Sequence, residues 1–265
     1  MSNPLRIALI QTDITIGEPD VNADRVIQQM EEAVQSAAKP DILVLPEMWN
    51  TGYALERIDE LGDENGVRTR NIISAFCRKH NVYVMAGSVA ELKEGRAYNT
   101  SYVFDPSGQV IADYSKIHLF RLMDEEKHLT EGEKLCTFPL AGQQAGVMIC
   151  YDIRFPELAR KLALDGVKLL FVPAEWPNPR LHHWRTLLQA RAIENQMYVI
   201  ACNRVGTSGE TSFFGHSMIV DPWGEIVVEG GDEQTVLHAE LDLALVDEVR
   251  SRIPVFEDRR PSLYS

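Results

Sequence analysis

Three short stretches end in side chains that can do chemistry. The apolar run Val147-Met148-Ile149 stops at Cys150, and charged and turn-forming residues follow at once. Leu43-Val44-Leu45-Pro46 ends in Glu47, and the extended segment through Tyr114-Ser115 delivers Lys116. Chains that alternate strands and helices place reacting atoms at the carboxyl ends of strands. Most cysteines are small buried hydrophobes, so the chemical reading of Cys150 rests on the carboxylate and the amine that accompany it. A neutral thiol is a weak nucleophile and an amide a poor electrophile. Glu47 can take the thiol proton, or Lys116 can hold a thiolate. The tetrahedral oxyanion formed by attack calls for donors, for which the Lys116 ammonium and a backbone N–H near Tyr151 are candidates. Cys202 also ends an apolar run, and sequence order alone does not choose between the two thiols.

The elements that must position these groups alternate. Leu5 to Ile10 predicts a strand, Asn22 to Ala38 an amphipathic helix closed by Lys39-Pro40, and Ile42 to Leu45 the next strand. Glu64 to His80 predicts a helix and Tyr83 to Val89 a buried strand. Ala97 to Phe104 and Gln109 to Tyr114 flank the turn Asp105-Pro106-Ser107-Gly108, which implies antiparallel pairing within an otherwise parallel α/β alternation. The sheet is therefore expected to be mixed. Leu119 to Gly132 reads as loop or short helices near Lys116. Helices are expected over Phe155–Leu164 and Trp184–Asn195, and strands over Lys168–Val172, Tyr198–Cys202, His216–Val220, Ile226–Val228 and Thr235–Leu241. Residues 250–265 read as a tail packing on the domain or on a partner.

The chain has 265 residues, 45% of them hydrophobic, which suits one domain over residues 1–265 with a large core. A formal charge of -13 argues against nucleic acid and anionic membranes as partners. No apolar run approaches membrane-spanning length. The start Met1-Ser2-Asn3-Pro4 lacks a basic-plus-apolar leader pattern. Cys77, Cys136, Cys150 and Cys202 lack disulfide or metal spacing, so a reducing cytoplasm is the expectation. His182, His183 and His216 have no acid-histidine spacing for a metal, and Gly206-Thr207-Ser208-Gly209 lacks the lysine of a phosphate loop. No metal or cofactor is expected.

The same residues carry a resemblance. Pro46-Glu47, Lys116-Ile117-His118-Leu119-Phe120 and Cys150-Tyr151-Asp152-Ile153-Arg154-Phe155-Pro156-Glu157, in this order, resemble the nitrilase superfamily of carbon–nitrogen hydrolases. Ala190-Arg191-Ala192-Ile193-Glu194-Asn195 and the Asp221-Pro222-Trp223-Gly224 turn extend the likeness over essentially the whole chain. The resemblance implies a four-layer αββα sandwich with mixed sheets, a homodimer, and Glu47 as base, Lys116 as cation and Cys150 as nucleophile. It favours Cys150 over Cys202. It also implies a second glutamate between lysine and cysteine. Glu125 is preferred to Glu126 because it stands seven residues before Gly132, as in the family pattern.

Within the superfamily the chain is similar to the omega-amidase branch. That implies hydrolysis of the terminal carboxamide of a small dicarboxylic acid monoamide, 2-oxoglutaramate being the first candidate. An N-carbamoyl amino acid or aliphatic amide hydrolase is the alternative, and a non-catalytic dimeric binding protein a more distant one. The free carboxylate of such a substrate needs a cation. Arg154, Arg180 and Arg185 are the candidates, with Tyr53 and Trp176 as pocket walls.

Overall fold

Strand Leu5–Gln11 serves two cores because successive side chains of a strand point to opposite faces. Ile7 and Leu9 pack with Phe138, Val147 and Phe171 between two sheets. Ala8 and Ile10 pack outward against Val26 and Met30 of helix Pro19–Gln35 and Ile73 and Phe76 of helix Val67–His80. The computed structural model that shows this describes residues 4–264; Met1–Asn3 and Ser265 lie outside them.

The first sheet runs in the order Thr235–Leu241, Leu5–Gln11, Ile42–Val44, Tyr83–Met85, Arg96–Phe104, Val89–Lys93 and Asp63–Glu64. Val110–Ser115 pairs on the other edge of Arg96–Phe104. Leu5–Gln11, Ile42–Val44 and Tyr83–Met85 are parallel, whereas the long strand Arg96–Phe104 is antiparallel to its partners. The second sheet runs Ile226–Glu229, Met218–Val220, Tyr198–Asn203, Leu169–Ala174, Gln143–Val147 and Thr137–Leu140, and its three central strands are parallel. Helices Pro156–Leu164 and Leu181–Asn195 cover this sheet through Leu158, Leu162, Trp184 and Leu188. The layer order is helix, sheet, sheet, helix, the expected αββα arrangement with mixed sheets.

Both predicted turns form by one mechanism. Asp105 Oδ1 accepts from the N–H groups of Ser107 and Gln109, and Asp221 Oδ1 accepts from those of Trp223 and Glu225. Two expectations need correction. The stretch Tyr83–Val89 is two strands, because the chain breaks direction at Gly87 (φ 59°) before Val89–Lys93 begins. Residues 250–252 belong to the unpredicted helix Ala244–Arg252, whose short apolar stripe buries only Val246 and Val249. Beyond it the chain packs on its own domain, where Gln196 Nε2 donates to the Ile253 carbonyl and Phe256 lies under the Arg160 and Arg250 guanidinium groups. Trp49, beyond Glu47, is buried in the first sheet's outer core and donates through Nε1 to the Ala86 carbonyl.

Gly87 is fitted against the backbone that carries Glu47. A Cβ there would lie 1.9 Å from the Pro46 carbonyl oxygen, whereas one at Gly95, also at positive φ, would meet nothing within 4 Å. Gly95→Ala is expected to cost only the left-handed conformational term, about 1 kcal/mol. Gly87→Ala should cost at least about 2 kcal/mol more, because backbone must move. Denaturant midpoints of the two variants check the difference.

Candidate active site

The four predicted chemical side chains all leave the ends of elements and meet between the two sheets. Glu47 follows strand Ile42–Val44, Lys116 follows Val110–Ser115, and Cys150 begins the 3-10 turn Cys150–Arg154 just after Gln143–Val147. Glu125 opens the one-turn helix Glu125–His128. Glu47, Lys116 and Glu125 have no solvent exposure. Lys116 Nζ donates to Glu47 Oε1 at 2.8 Å and to Glu125 Oε1 at 2.7 Å. Glu126 is exposed, so it is Glu125 that turns inward.

A buried ammonium costs several kcal/mol unless partners replace its water. Here burial works against the charge of Lys116, but the Glu125 and Glu47 carboxylates outweigh it and hold the ammonium well above its ordinary pKa. Burial in turn raises the Glu125 carboxyl, and Lys116 pulls against that rise. The remaining lone pairs are met by donors that sequence reading missed. Asn99 Nδ2 donates to Glu47 Oε1 at 2.8 Å, the Glu175 N–H donates to Glu47 Oε2 at 2.7 Å, and the Phe120 N–H donates to Glu125 Oε2 at 2.8 Å. Asn99 also accepts the Lys116 N–H on its backbone carbonyl. An asparagine inside a buried strand was the available signal, because strands are poor in it.

Cys150 is buried and adopts φ 44°, a left-handed conformation unusual for a residue with a side chain. Burial, followed by the Glu47 charge, pushes its thiol well above the ordinary range, while Lys116 acts in the opposite sense. The strained turn is held by Asp152. That buried carboxylate accepts from the Ile149 N–H, the Tyr114 hydroxyl, the His118 N–H and His118 Nδ1, all within 2.7–3.0 Å. It thereby ties the cysteine segment to the lysine segment. Arg191 adds a bond from Nε to the Ile153 carbonyl. Tyr151 is the second residue of the turn, and the first N–H groups of a helical turn have no partner within it.

Beside Cys150 lies a narrow cleft lined by Phe120, Tyr151, Arg154, Glu175, Trp176, Pro177 and Arg180. Four of the predicted substrate-binding residues, Tyr151, Arg154, Trp176 and Arg180, are therefore together. Arg154 lies over the Trp176 ring and Arg180 over Phe120. Neither guanidinium has a carboxylate partner among the described residues. Arg185 is elsewhere: its Nε is ion-paired with Glu229 at 2.6 Å and its Nη2 lies 3.2 Å from His216 Nδ1. Tyr53 does not line this cleft either. Its hydroxyl donates to Glu125 and Glu47, and burial with those two charges pushes the phenol well above its usual pKa, so it stays a donor. Among the described residues no group of three or more His, Cys, Asp or Glu is arranged to hold a metal, and no helix is long and apolar enough to cross a membrane.

The charges around Cys150 predict how its thiol responds to their removal. At fixed pH, Lys116→Met should slow Cys150 alkylation by iodoacetamide, because a cation that favours thiolate is lost. Glu125→Gln should speed it, because an opposing anion is lost. Alkylation rates followed by mass spectrometry of the Cys150 peptide check the two directions.

The whole architecture has relatives. The chain is 48% identical over 259 residues to the 2-oxoglutaramate amidase of Bacillus subtilis (strain 168), covering 97% of this chain and 98% of that one. It matches the solved structure of a CN-hydrolase superfamily protein of Xanthomonas campestris with a TM-score of 0.90 and 30% identity over 98% of each chain; that protein bears an arsenic adduct in its active site. It matches the amidase of Nesterenkonia sp. AN1 with a TM-score of 0.87 and 26% identity over 99% of this chain and 96% of that one. A variant of that amidase shows the acetamide moiety of fluoroacetamide added covalently to its active-site cysteine. The carbon-nitrogen hydrolase family itself matches residues 6–251, and with a fold that follows its relatives from end to end, this chain belongs to the carbon–nitrogen hydrolases of the nitrilase superfamily.

Proposed function

We propose that the enzyme hydrolyses the terminal carboxamide of a small dicarboxylic acid monoamide, 2-oxoglutaramate to 2-oxoglutarate and ammonia, through a thioester on Cys150. The observation that carries the chemistry is the buried Lys116 ammonium shared by Glu47 and Glu125 beside a strained, buried cysteine. The thiol is held above its ordinary pKa in the free enzyme, which favours proton removal during attack over a standing thiolate. Glu47 takes the Cys150 proton as Sγ bonds to the amide carbon. The carbonyl electron pair moves onto oxygen, where Lys116 Nζ and the Tyr151 N–H receive it. Glu47 returns the proton to nitrogen, the C–N bond breaks and ammonia leaves. Water then gives a proton to Glu47 and adds to the thioester, and collapse of that second tetrahedral species releases the acid while Sγ regains its proton. Glu125 and Tyr53 keep Lys116 and Glu47 in place throughout.

The substrate assignment is supported by the 48% identical amidase and by the cleft itself. Arg154 and Arg180 present two guanidinium groups with no acidic partner among the described residues, one over the Trp176 ring and the other over Phe120. Burial lowers the Arg154 pKa, so a substrate carboxylate would meet a partly buried cation. Arg185, committed to Glu229, is not proposed for this role. The homodimer and the reducing cytoplasm belong to the same proposal; the four free, buried cysteines suit such a compartment.

Cys150→Ala should abolish turnover, and Glu47→Gln and Lys116→Met should each lower kcat by about 100-fold or more with much smaller changes in substrate binding. Ammonia release should give 2-oxoglutaramate and 2-oxosuccinamate the highest kcat/KM, ahead of glutamine, an N-carbamoyl amino acid, an aliphatic amide and a nitrile. Arg154→Met should raise KM for the keto-acid amides by about tenfold or more, the loss of one charge-assisted contact. Equal use of the uncharged amide would remove the carboxylate argument, and preference for the carbamoyl compound would move the protein to another amide class. Light scattering at micromolar concentration is expected to give a dimer.

A further inference from the structure

Glu175 is a fully buried acid that the reaction as written does not use. It follows strand Leu169–Ala174, lines the cleft beside Cys150, and is 1% exposed. Its peptide N–H is the donor to Glu47 Oε2, at 2.7 Å. Glu47 Oε1 already receives Lys116, Asn99 and Tyr53. Oε2 has the Glu175 N–H as its one donor among the described residues, so it is the oxygen with room for a transferred proton. The Glu175 side chain has a partner on one oxygen only. Oε2 lies 3.3 Å from Nη1 of Arg204, while Oε1 is buried without any hydrogen-bond partner among the described residues.

Arg204 is itself a built anchor. It has no solvent exposure, lies over the Phe213 ring, and donates to the carbonyls of Val205 and Ile14, to Ser208 Oγ and to Asp13 Oδ1. A guanidinium held at so many points does not follow a moving carboxylate. The carboxylate follows it, and with it the peptide that contacts Glu47.

We propose that Glu175 is a positioning residue of the hydrolase, whose side chain, anchored on Arg204, holds its own N–H against the proton-accepting oxygen of Glu47 and whose ionisation adds a second negative charge behind that base. The proposal rests on the assignment of Glu47 and Cys150 given above. The charged groups facing Glu175 are Arg204 and, through it, Asp13 from one side, and Glu47 and Lys116 from the other, with the Tyr53 phenol nearby. Burial pushes the Glu175 carboxyl up to about 8; Arg204 opposes that rise and Glu47 adds to it. Near neutrality the neutral acid therefore predominates. Above that point the added anion, in the same cleft as Cys150, opposes the negative charge that develops on Sγ and the carbonyl oxygen during attack.

The test compares the wild type, E175Q and E175A as full chains across pH, from about 6 to about 10. Two readouts are taken: kcat and KM on a hydrolysed amide, and the rate of Cys150 alkylation by iodoacetamide, which needs no substrate. The ratio of E175Q to wild type is expected to rise through pH about 8 in both kcat and alkylation rate. E175A, which loses the Arg204 anchor, should lower kcat by about tenfold with less than about threefold change in KM, and E175Q should recover part of that loss. A ratio of E175Q to wild type that stays constant across pH in both readouts would overturn the proposal, as would an effect carried wholly by KM. If E175A fails to fold, the E175Q comparison alone decides. If the wild type hydrolyses none of the amides, the substrate assignment fails separately, and the alkylation profiles still decide the role of Glu175.

Discussion

The constraint on which this site depends is an ammonium with no access to water. Lys116 shares its charge between Glu47 and Glu125 at hydrogen-bond distance, and all three side chains are fully buried. Desolvating such groups costs several kcal/mol each, and their mutual attraction offsets this only if the other lone pairs are also satisfied. That requirement explains the surroundings. Asn99, Tyr53, the Phe120 N–H and the Glu175 N–H each supply a donor to one of the two carboxylates. Two carboxylates around one ammonium leave a bias toward negative charge, and burial together with this bias holds the neighbouring thiol above its ordinary pKa.

The second requirement is mechanical. A lysine after one sheet's strand and a cysteine after the other sheet's strand must hold a fixed separation. Asp152 meets it by collecting donors from Tyr114 and His118 on one side and Ile149 on the other. His118 is stacked on Phe155, with ring centroids 3.6 Å apart, which closes the same junction by packing. The left-handed backbone at Cys150 is local strain that these contacts over-determine. Gly87 plays the equivalent part beneath Pro46 and Glu47, where backbone approaches backbone too closely for any side chain.

Much of the frame was legible because its signals are local. Alternating apolar runs and the Asp-Pro turns at Asp105 and Asp221 each act within a few residues and formed as expected, whereas helix Pro19–Gln35 stops at Ser36, short of the expected end at Lys39-Pro40. Element limits drifted where the deciding contact is distant. The break at Gly87 answers to the Pro46 carbonyl across the sheet, and helix Ala244–Arg252 buries just two side chains and so shows little period.

For the site, the residue order and chemistry of Glu47, Lys116 and Cys150 were contained in the sequence, since each stands at the end of a recognisable apolar or extended run. The choice of Glu125 over Glu126 became physical only when one of two adjacent acids turned inward to the ammonium. Tyr53, read as an aromatic wall, instead became a donor to two carboxylates, and Arg185, read as a carboxylate clamp, was taken by Glu229. Glu175 and Arg204 look like ordinary surface charges in a linear reading, yet they lie 29 positions apart and are both buried. Sequence by itself determined which groups are present and on which segments they ride. Burial and partnership, which set the charge state of every group here, arise only when distant segments close over one another, and those were decided by the tertiary structure.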